Sequence, residues 1–258
     1  MPADSHRIYR VEHEGTTTYA VERGGTWRLA TGSPFEATGL KETDPFDPSR
    51  ARVVAPVVPS KIVAIGLNYK DHAAEQNKPL PKEPMIFLKP STAVVGPGEP
   101  IRVSPEMGRV DHEAEAGVVI GRRAYRVPAS RAYEYVLGLT CVNDVTAREL
   151  QKKDIQYTRA KGFDSFAPMG PCIAAGLDAR DVAVEGWVNG ERRQSSSTRE
   201  LIFDVPTLIA FVSSVMTLLP GDVISTGTPA GIGPIKPGDN VTIKVSGVGE
   251  LSNPVEAL

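Results

Sequence analysis

Cysteine is almost missing from this chain of 258 residues. Cys141 and Cys172 are the only two, too few for a disulfide framework, and each sits in an apolar stretch where a buried thiol is the ordinary expectation. A reducing, cytoplasmic setting is therefore expected. Also missing is any apolar run of membrane-spanning length, and the opening Met1-Pro2-Ala3-Asp4-Ser5-His6-Arg7 lacks the apolar core of a signal peptide. Nor does one charge dominate: 29 Lys and Arg stand against 31 Asp and Glu, with the basic residues scattered. That distribution offers no footprint for nucleic acid or for a membrane surface, which leaves a small molecule as the expected partner.

What the chain has instead is turn chemistry. Its 24 Gly and 22 Pro favour a strand-rich, turn-rich architecture over a helical bundle. The length allows one large domain, or one domain with a small appendage. Short strand patterns at Arg7–Val11, Thr18–Glu22 and Trp27–Ala30, broken at Glu14-Gly15 and Gly24-Gly25, predict an amino-terminal meander. Residues 31 to 55 show no periodicity and read as linker. Beyond them, Lys61–Gly66 reads as a strand opening onto a loop, and a hairpin is expected across Asn189-Gly190. A helix is expected over Asp204–Leu219, with Asp204 as N-cap and a core stripe of Leu208, Ile209, Val212, Val215, Met216 and Leu219. A short helical stretch to Leu137 is expected after Pro128, with Ser130 as its N-cap.

The informative stretch is Val110-Asp111-His112-Glu113-Ala114-Glu115-Ala116-Gly117-Val118-Val119-Ile120-Gly121. In an extended chain Glu113 and Glu115 share one face about 7 Å apart, and two anions held beside an apolar run need a cation or a proton to coexist. A divalent metal is one such cation; a solvated strand face is the plainer reading. A second apolar strand, Gly138–Asn143, delivers Asp144 at its carboxyl end. That residue is equally suited to capping a helix over Val145–Lys153, on which Arg148 and Gln151 share a face. His72 and Glu75, three apart after the Lys61–Gly66 strand, suit a histidine base oriented by a carboxylate. The loop Thr226-Gly227-Thr228-Pro229-Ala230-Gly231-Ile232-Gly233 offers backbone N–H groups and hydroxyls to an anionic ligand, but it is neither a Walker loop nor a dinucleotide fingerprint.

Taken together, these motifs resemble the fumarylacetoacetate hydrolase family, in particular its bacterial branch of 2-hydroxyhepta-2,4-diene-1,7-dioate isomerase and acylpyruvate hydrolase-like members. The matching pieces are Gly66–Glu75, Phe87-Leu88-Lys89-Pro90, Asp111–Glu115, Asn143–Arg148, Lys161-Gly162-Phe163-Asp164 and Thr226–Gly233, in the family's order from about residue 60 to the end. The resemblance implies a mixed α/β, predominantly β fold: a rolled-sheet or sandwich-like catalytic domain over 56–258, few helices, and a small amino-terminal β-subdomain and linker over 1–55. It also implies a homodimer. Glu113, Glu115 and Asp144 fall on the family's metal positions, and all-oxygen ligation suits Mg²⁺ or Mn²⁺, with Ca²⁺ as a non-catalytic substitute.

By the same resemblance His72, Glu75 and Lys161 are the catalytic residues. Asn68, Tyr69, Arg148, Gln151, Thr226, Gly227 and Thr228 are the substrate-binding ones. The implied activity is metal-dependent hydrolysis of a C–C bond in an acylpyruvate-type 2,4-dioxo acid through a metal-stabilised enolate. Oxaloacetate-type decarboxylation and 2-oxo/enol isomerisation at the same metal site are the alternatives, and a non-catalytic binding protein is the remaining one. Two positions depart from the pattern: Leu67 replaces an arginine of some acylpyruvate-cleaving relatives, and Gly162 stands where many have serine.

Overall fold

The computed structural model describes residues 5–258; residues 1–4 of the opening segment lie outside the described residues. Three sheets carry the fold, the largest of 12 strands. Its main path runs from Leu40–Pro45 through Thr26–Gly32, Thr16–Arg23 and His6–His13 to Ala167–Ala175. It continues through Val136–Asn143, Ala114–Ile120, Val223–Ser225 and Ile62–Ile65 to Ile86–Lys89. Neighbours along this path are antiparallel except Val223–Ser225 beside Ile62–Ile65, which run parallel. A five-stranded sheet, Glu191–Ser197, Ala183–Val188, Asn240–Val245, Gly249–Ala257 and Ile101–Val103, packs on it, and Val118, Leu139, Val184, Ile243 and Leu251 belong to the shared core. A three-stranded sheet of Thr146–Ala147, Val110–His112 and Gly233–Ile235 closes one end. The fold is thus predominantly β, with few and short helices.

The expected meander forms, with Glu14, Gly15, Gly24 and Gly25 all at positive φ in its two turns, the geometry that two-residue hairpin loops demand. The stretch expected as linker differs. Leu40–Pro45 pairs with Thr26–Gly32, and Ala51–Val54 pairs back onto His6–His13. Its strand is exposed along most of its length, so no apolar alternation marks it. The Asn189-Gly190 hairpin forms with both residues at positive φ.

The long helix is Val205–Val215, four residues shorter than expected. Asp204 caps it by accepting from the Thr207 N–H at 2.9 Å. Leu208, Ile209 and Val212 are buried, whereas Val215 and Leu219 of the expected stripe are 57% and 40% exposed. Pairing of Leu218 with Ala124 takes the chain out of the helix. Residues Ala129–Tyr135 form a 3₁₀ segment with Pro128 at its N-cap position and no side-chain cap, so Ser130 is not its N-cap. The helix after Asp144 starts only at Arg148 and has Ala147 at its N-cap position. Asp144 therefore caps nothing.

The parallel pair beside the site is held by Asp222, which is fully buried. Its carboxylate accepts from the Ser60 N–H and hydroxyl, the Lys61 N–H and ammonium, and the Leu219 N–H. Removing it strands these donors at the start of Ile62–Ile65. Asp222→Ala is expected to cost about 3 kcal/mol, read from the urea midpoint; a loss under about 1 kcal/mol would show that the strand pair stands without it.

Candidate active site and metal centre

Adjacent antiparallel strands bring the carboxylates together. Glu115 lies opposite Val142 and Ala114 opposite Asn143, while Glu113 sits in the break between Val110–His112 and Ala114–Ile120. The Asp144 N–H donates to the Glu113 carbonyl at 2.9 Å, fastening the ends of the two strands. Glu113, Glu115 and Asp144 are all buried, and each offers one oxygen within 4.8 Å of the others. Three hard oxygen donors at that separation fit a Mg²⁺- or Mn²⁺-type ion, with no Cys or His among them to favour zinc.

Cationic side chains balance this charge. Lys161 Nζ donates to Glu113 at 2.8 Å and to Asp144 at 2.6 Å, and Lys89, fully buried, donates to the other Asp144 oxygen. Arg148 spans Asp111 at 2.8 Å, Glu113 at 2.5 Å and Gln151 at 3.0 Å. Burial alone would push the Glu113 carboxyl up, but Lys161 and Arg148 outweigh it and hold it well below the usual range. Burial also opposes the Lys161 ammonium, and there Asp144 and Glu113 win and raise it. For Lys89 burial wins and lowers it. Glu115 lacks such a partner: burial, then the charges of Asp144 and Glu113, push its carboxyl up to about 8.

The hydroxyl of Ser225 donates to Glu115 at 2.5 Å and the Gly227 N–H at 2.8 Å. The Gly227 N–H of the glycine loop is therefore engaged by the protein's own Glu115 carboxylate. The Thr226 and Thr228 hydroxyls are likewise engaged, on the Ala116 and Ala114 carbonyls. A side chain at Gly227, φ +98°, would come within 2.8 Å of Asn68 Cβ.

His72 lies in the helix Lys70–Glu75. Its Nδ1 is 2.8 Å from Glu75 and its Nε2 2.7 Å from the Gln76 amide nitrogen. With Nδ1–H donating to the carboxylate, Nε2 keeps its lone pair and accepts from Gln76, the tautomer of a neutral base. The Gly231 N–H donates to the second Glu75 oxygen at 3.0 Å. A cavity of about 100 Å³ joins these parts, lined by Leu67, His72, Phe87, Glu113, Glu115 and Lys161 among others.

Of the expected substrate contacts, Arg148, Gln151 and Thr228 line this cavity. Asn68, Tyr69, Thr226 and Gly227 do not. Asn68 is a buried clamp, donating to the Phe203 and Thr226 carbonyls and accepting from the Phe203 N–H. Sequence reasoning missed three residues. Lys89 had a signal, a cation between Leu88 and Pro90 in an apolar strand, since a buried lysine is rarely unpaired. Gln76 had one in its spacing of four from His72. Gln194 had none: it is buried and bonds Ala114, His112, Thr228 and Pro229 across more than thirty residues of chain.

Comparisons place this geometry. The chain is 43% identical to a 5-carboxymethyl-2-hydroxymuconate delta-isomerase from Mycobacterium smegmatis, with a TM-score of 0.91 over 98% of this chain and all of that one. It is 40% identical over 220 residues to the mitochondrial oxaloacetate tautomerase fahd2 of Xenopus laevis, covering 80% of this chain and 69% of the relative. A maleylpyruvate hydrolase from Sphingobium, solved with manganese(II) and pyruvate, superposes at a TM-score of 0.80 with 28% identity, over 97% of this chain and 99% of that one. Among the described residues no helix is long and apolar enough to cross a membrane. The profile of the fumarylacetoacetate hydrolase C-terminal domain matches residues 61–256, and this chain belongs to that family.

Proposed function

We propose that the chain is a divalent-metal-dependent enzyme that moves a proton next to the 2-oxo group of a 2-oxo acid, as a 2-oxo/enol isomerase or tautomerase. One observation carries this reading: an imidazole oriented by Glu75 lines the same cavity as Glu113 and Glu115, which cluster with Asp144 in a buried carboxylate trio. The Thr228 hydroxyl, which also lines the cavity, is engaged on the Ala114 carbonyl. The relatives at 40% and 43% identity, a tautomerase and an isomerase by name, support proton transfer.

Glu113, Glu115 and Asp144 would hold the ion. When bound, it supplies positive charge to polarise the 2-oxo acid and accommodate the electron density released by proton removal. The protein's own groups do the rest. His72 Nε2, once Gln76 releases it, takes the proton, and Glu75 steadies the imidazolium. Lys161, 5.0 Å over the Phe87 ring, faces the same space and offsets developing negative charge. Arg148 and Gln151 orient the substrate's oxygens.

Hydrolysis of an acylpyruvate is the second reading, favoured by the same His72–Glu75 pair, which can equally take a proton from water, and by the fold shared with the maleylpyruvate hydrolase. A substrate panel decides. The Mn²⁺-loaded protein is expected to interconvert enol and keto forms of 2-oxo diacids, followed by ultraviolet absorbance, faster than it releases pyruvate or CO₂ from acylpyruvates or oxaloacetate. Faster pyruvate release would move the assignment to hydrolysis, and CO₂ release to decarboxylation.

A further inference from the structure

Gln194 is the only buried residue of the strand Glu191–Ser197. The strand's pairing slips there: Gly186 of the neighbouring strand faces Gln194 and Trp187 faces Arg192, which leaves Arg193 as an extra residue. A bulge of this kind re-aims a side chain, and here the Gln194 amide reaches off its own sheet to Ala114, the residue between Glu113 and Glu115. Gly186 keeps the passage open. A Cβ at that position would stand 2.7 Å from Gln194 Oε1 and 3.1 Å from Ala114 Cβ.

The amide is saturated. Its Oε1 accepts from the Ala114 N–H at 2.9 Å and from His112 Nδ1 at 3.1 Å, and its Nε2 donates to the Thr228 hydroxyl at 2.7 Å and the Pro229 carbonyl at 2.8 Å. A carboxylate of the same shape would turn an oxygen on the Pro229 carbonyl. Thr228 closes the ring by donating to the Ala114 carbonyl at 3.0 Å. Backbone groups alternate along a strand, and with the Glu113 carbonyl bonded to Asp144 the Ala114 groups point the other way. The strand on that side, Val223–Ser225, pairs only with Gly117–Val119. Gln194 and Thr228 stand in for the missing partner, satisfying a buried N–H and C=O that would otherwise be orphaned.

The other half of the amide grips the loop whose Gly227 N–H reaches Glu115 and whose Gly231 N–H reaches Glu75. We infer that Gln194 is a positioning residue of the active site: by bracketing Ala114 and gripping Thr228-Pro229 it holds the carboxylates Glu113 and Glu115 in place relative to Glu75, which orients His72. The inference rests on the proposed function for what each side does. It adds a residue of the second sheet that stays off the cavity wall, touches neither substrate nor ion, and yet governs both ion affinity and rate.

Two variants of the full chain test this. Gln194→Met keeps the bulk and removes all four bonds; Gly186→Ala keeps the amide but crowds it off Ala114, at a glycine without positive φ. Calorimetry with Mn²⁺ reads the number of sites separately from Kd, and enol–keto turnover at saturating Mn²⁺ reads kcat and KM. Gln194→Met is expected to raise Kd and lower kcat by about tenfold each, with KM and the number of sites unchanged, the pattern of lost transition-state positioning. Gly186→Ala should follow in the same direction by a smaller factor, and it decides alone if Gln194→Met does not fold. Fewer sites with Kd and kcat unchanged would assign Gln194 to the fold only and overturn the inference, as would wild-type values in both variants; the proposed function survives either result. A wild type that binds Mn²⁺ without enol–keto turnover sinks the proposed function, while the Kd of the variants still judges Gln194. If the wild type binds no Mn²⁺, both fall.

Discussion

Replacing Glu115 by Gln is expected to abolish the stabilisation of the protein by Mn²⁺ while leaving the ion-free protein at least as stable as wild type. The carboxylate is buried against two others, and no cationic side chain is hydrogen-bonded to it. Glutamine is isosteric with the protonated carboxyl that burial favours in the ion-free protein, and its amide oxygen still accepts from Ser225 and Gly227. The wild type should gain about 2.7 kcal/mol at a free ion concentration one hundredfold above Kd, a rise in Tm of roughly 5 to 10 °C for a chain of this size. The variant should gain almost nothing and lose turnover with it. A retained Tm response would refute the ligand set.

The same substitution changes the pH dependence. In the folded ion-free protein Glu115 keeps its proton up to about 8, against an ordinary value of 4.5. Between those values the folded state binds more protons than the unfolded, so this group's contribution to stability falls as pH rises. The Gln variant should lack that fall. Because an ion must displace the proton, wild-type Mn²⁺ affinity should rise with pH across the same window.

His72→Ala is expected to separate chemistry from ion binding. Loss of a positioned general base typically costs 10² to 10⁴ in rate, and the imidazole makes no hydrogen bond to the three carboxylates. The expected result is a fall of kcat by about 10³ with the Mn²⁺-induced rise in Tm intact. Near-wild-type turnover of every substrate in the panel would show that the proton is carried elsewhere. If enol–keto conversion is lost but pyruvate release survives, the pair serves only the former.

Much of this site was legible because it is written in short-range patterns. Glu113 and Glu115 two apart in an apolar strand, Asp144 at the end of another and His72 three before Glu75 are statements about strand and helix periods, and the structure brings those groups into one place. Gln194 was not legible, since its partners lie 34 or more residues away and no local period encodes which strand a side chain will meet; Lys89 was legible as a cation in an apolar strand, but its partner Asp144, 55 residues on, was not. The threonine–glycine loop was legible only in part. Its composition correctly indicated backbone donors around an anion, but nothing local reveals that the anion is Glu115. The strand Leu40–Pro45 escaped notice because a largely exposed edge needs no alternation.

That loop has a further consequence for how the protein can be altered. The Gly227 N–H holds Glu115 and the Gly231 N–H holds Glu75, so the three residues between them act as a spacer of fixed length between the ion side and the base side of the cavity. An insertion there would drive the two carboxylates out of register even with every side chain retained. By contrast, nothing lies within 4 Å of where a side chain at Gly190 would stand, at the tip of the Asn189-Gly190 hairpin. Redesign of substrate range therefore belongs at the outer rim, where residues can be exchanged without changing the interval that keeps acid, ion and base in step.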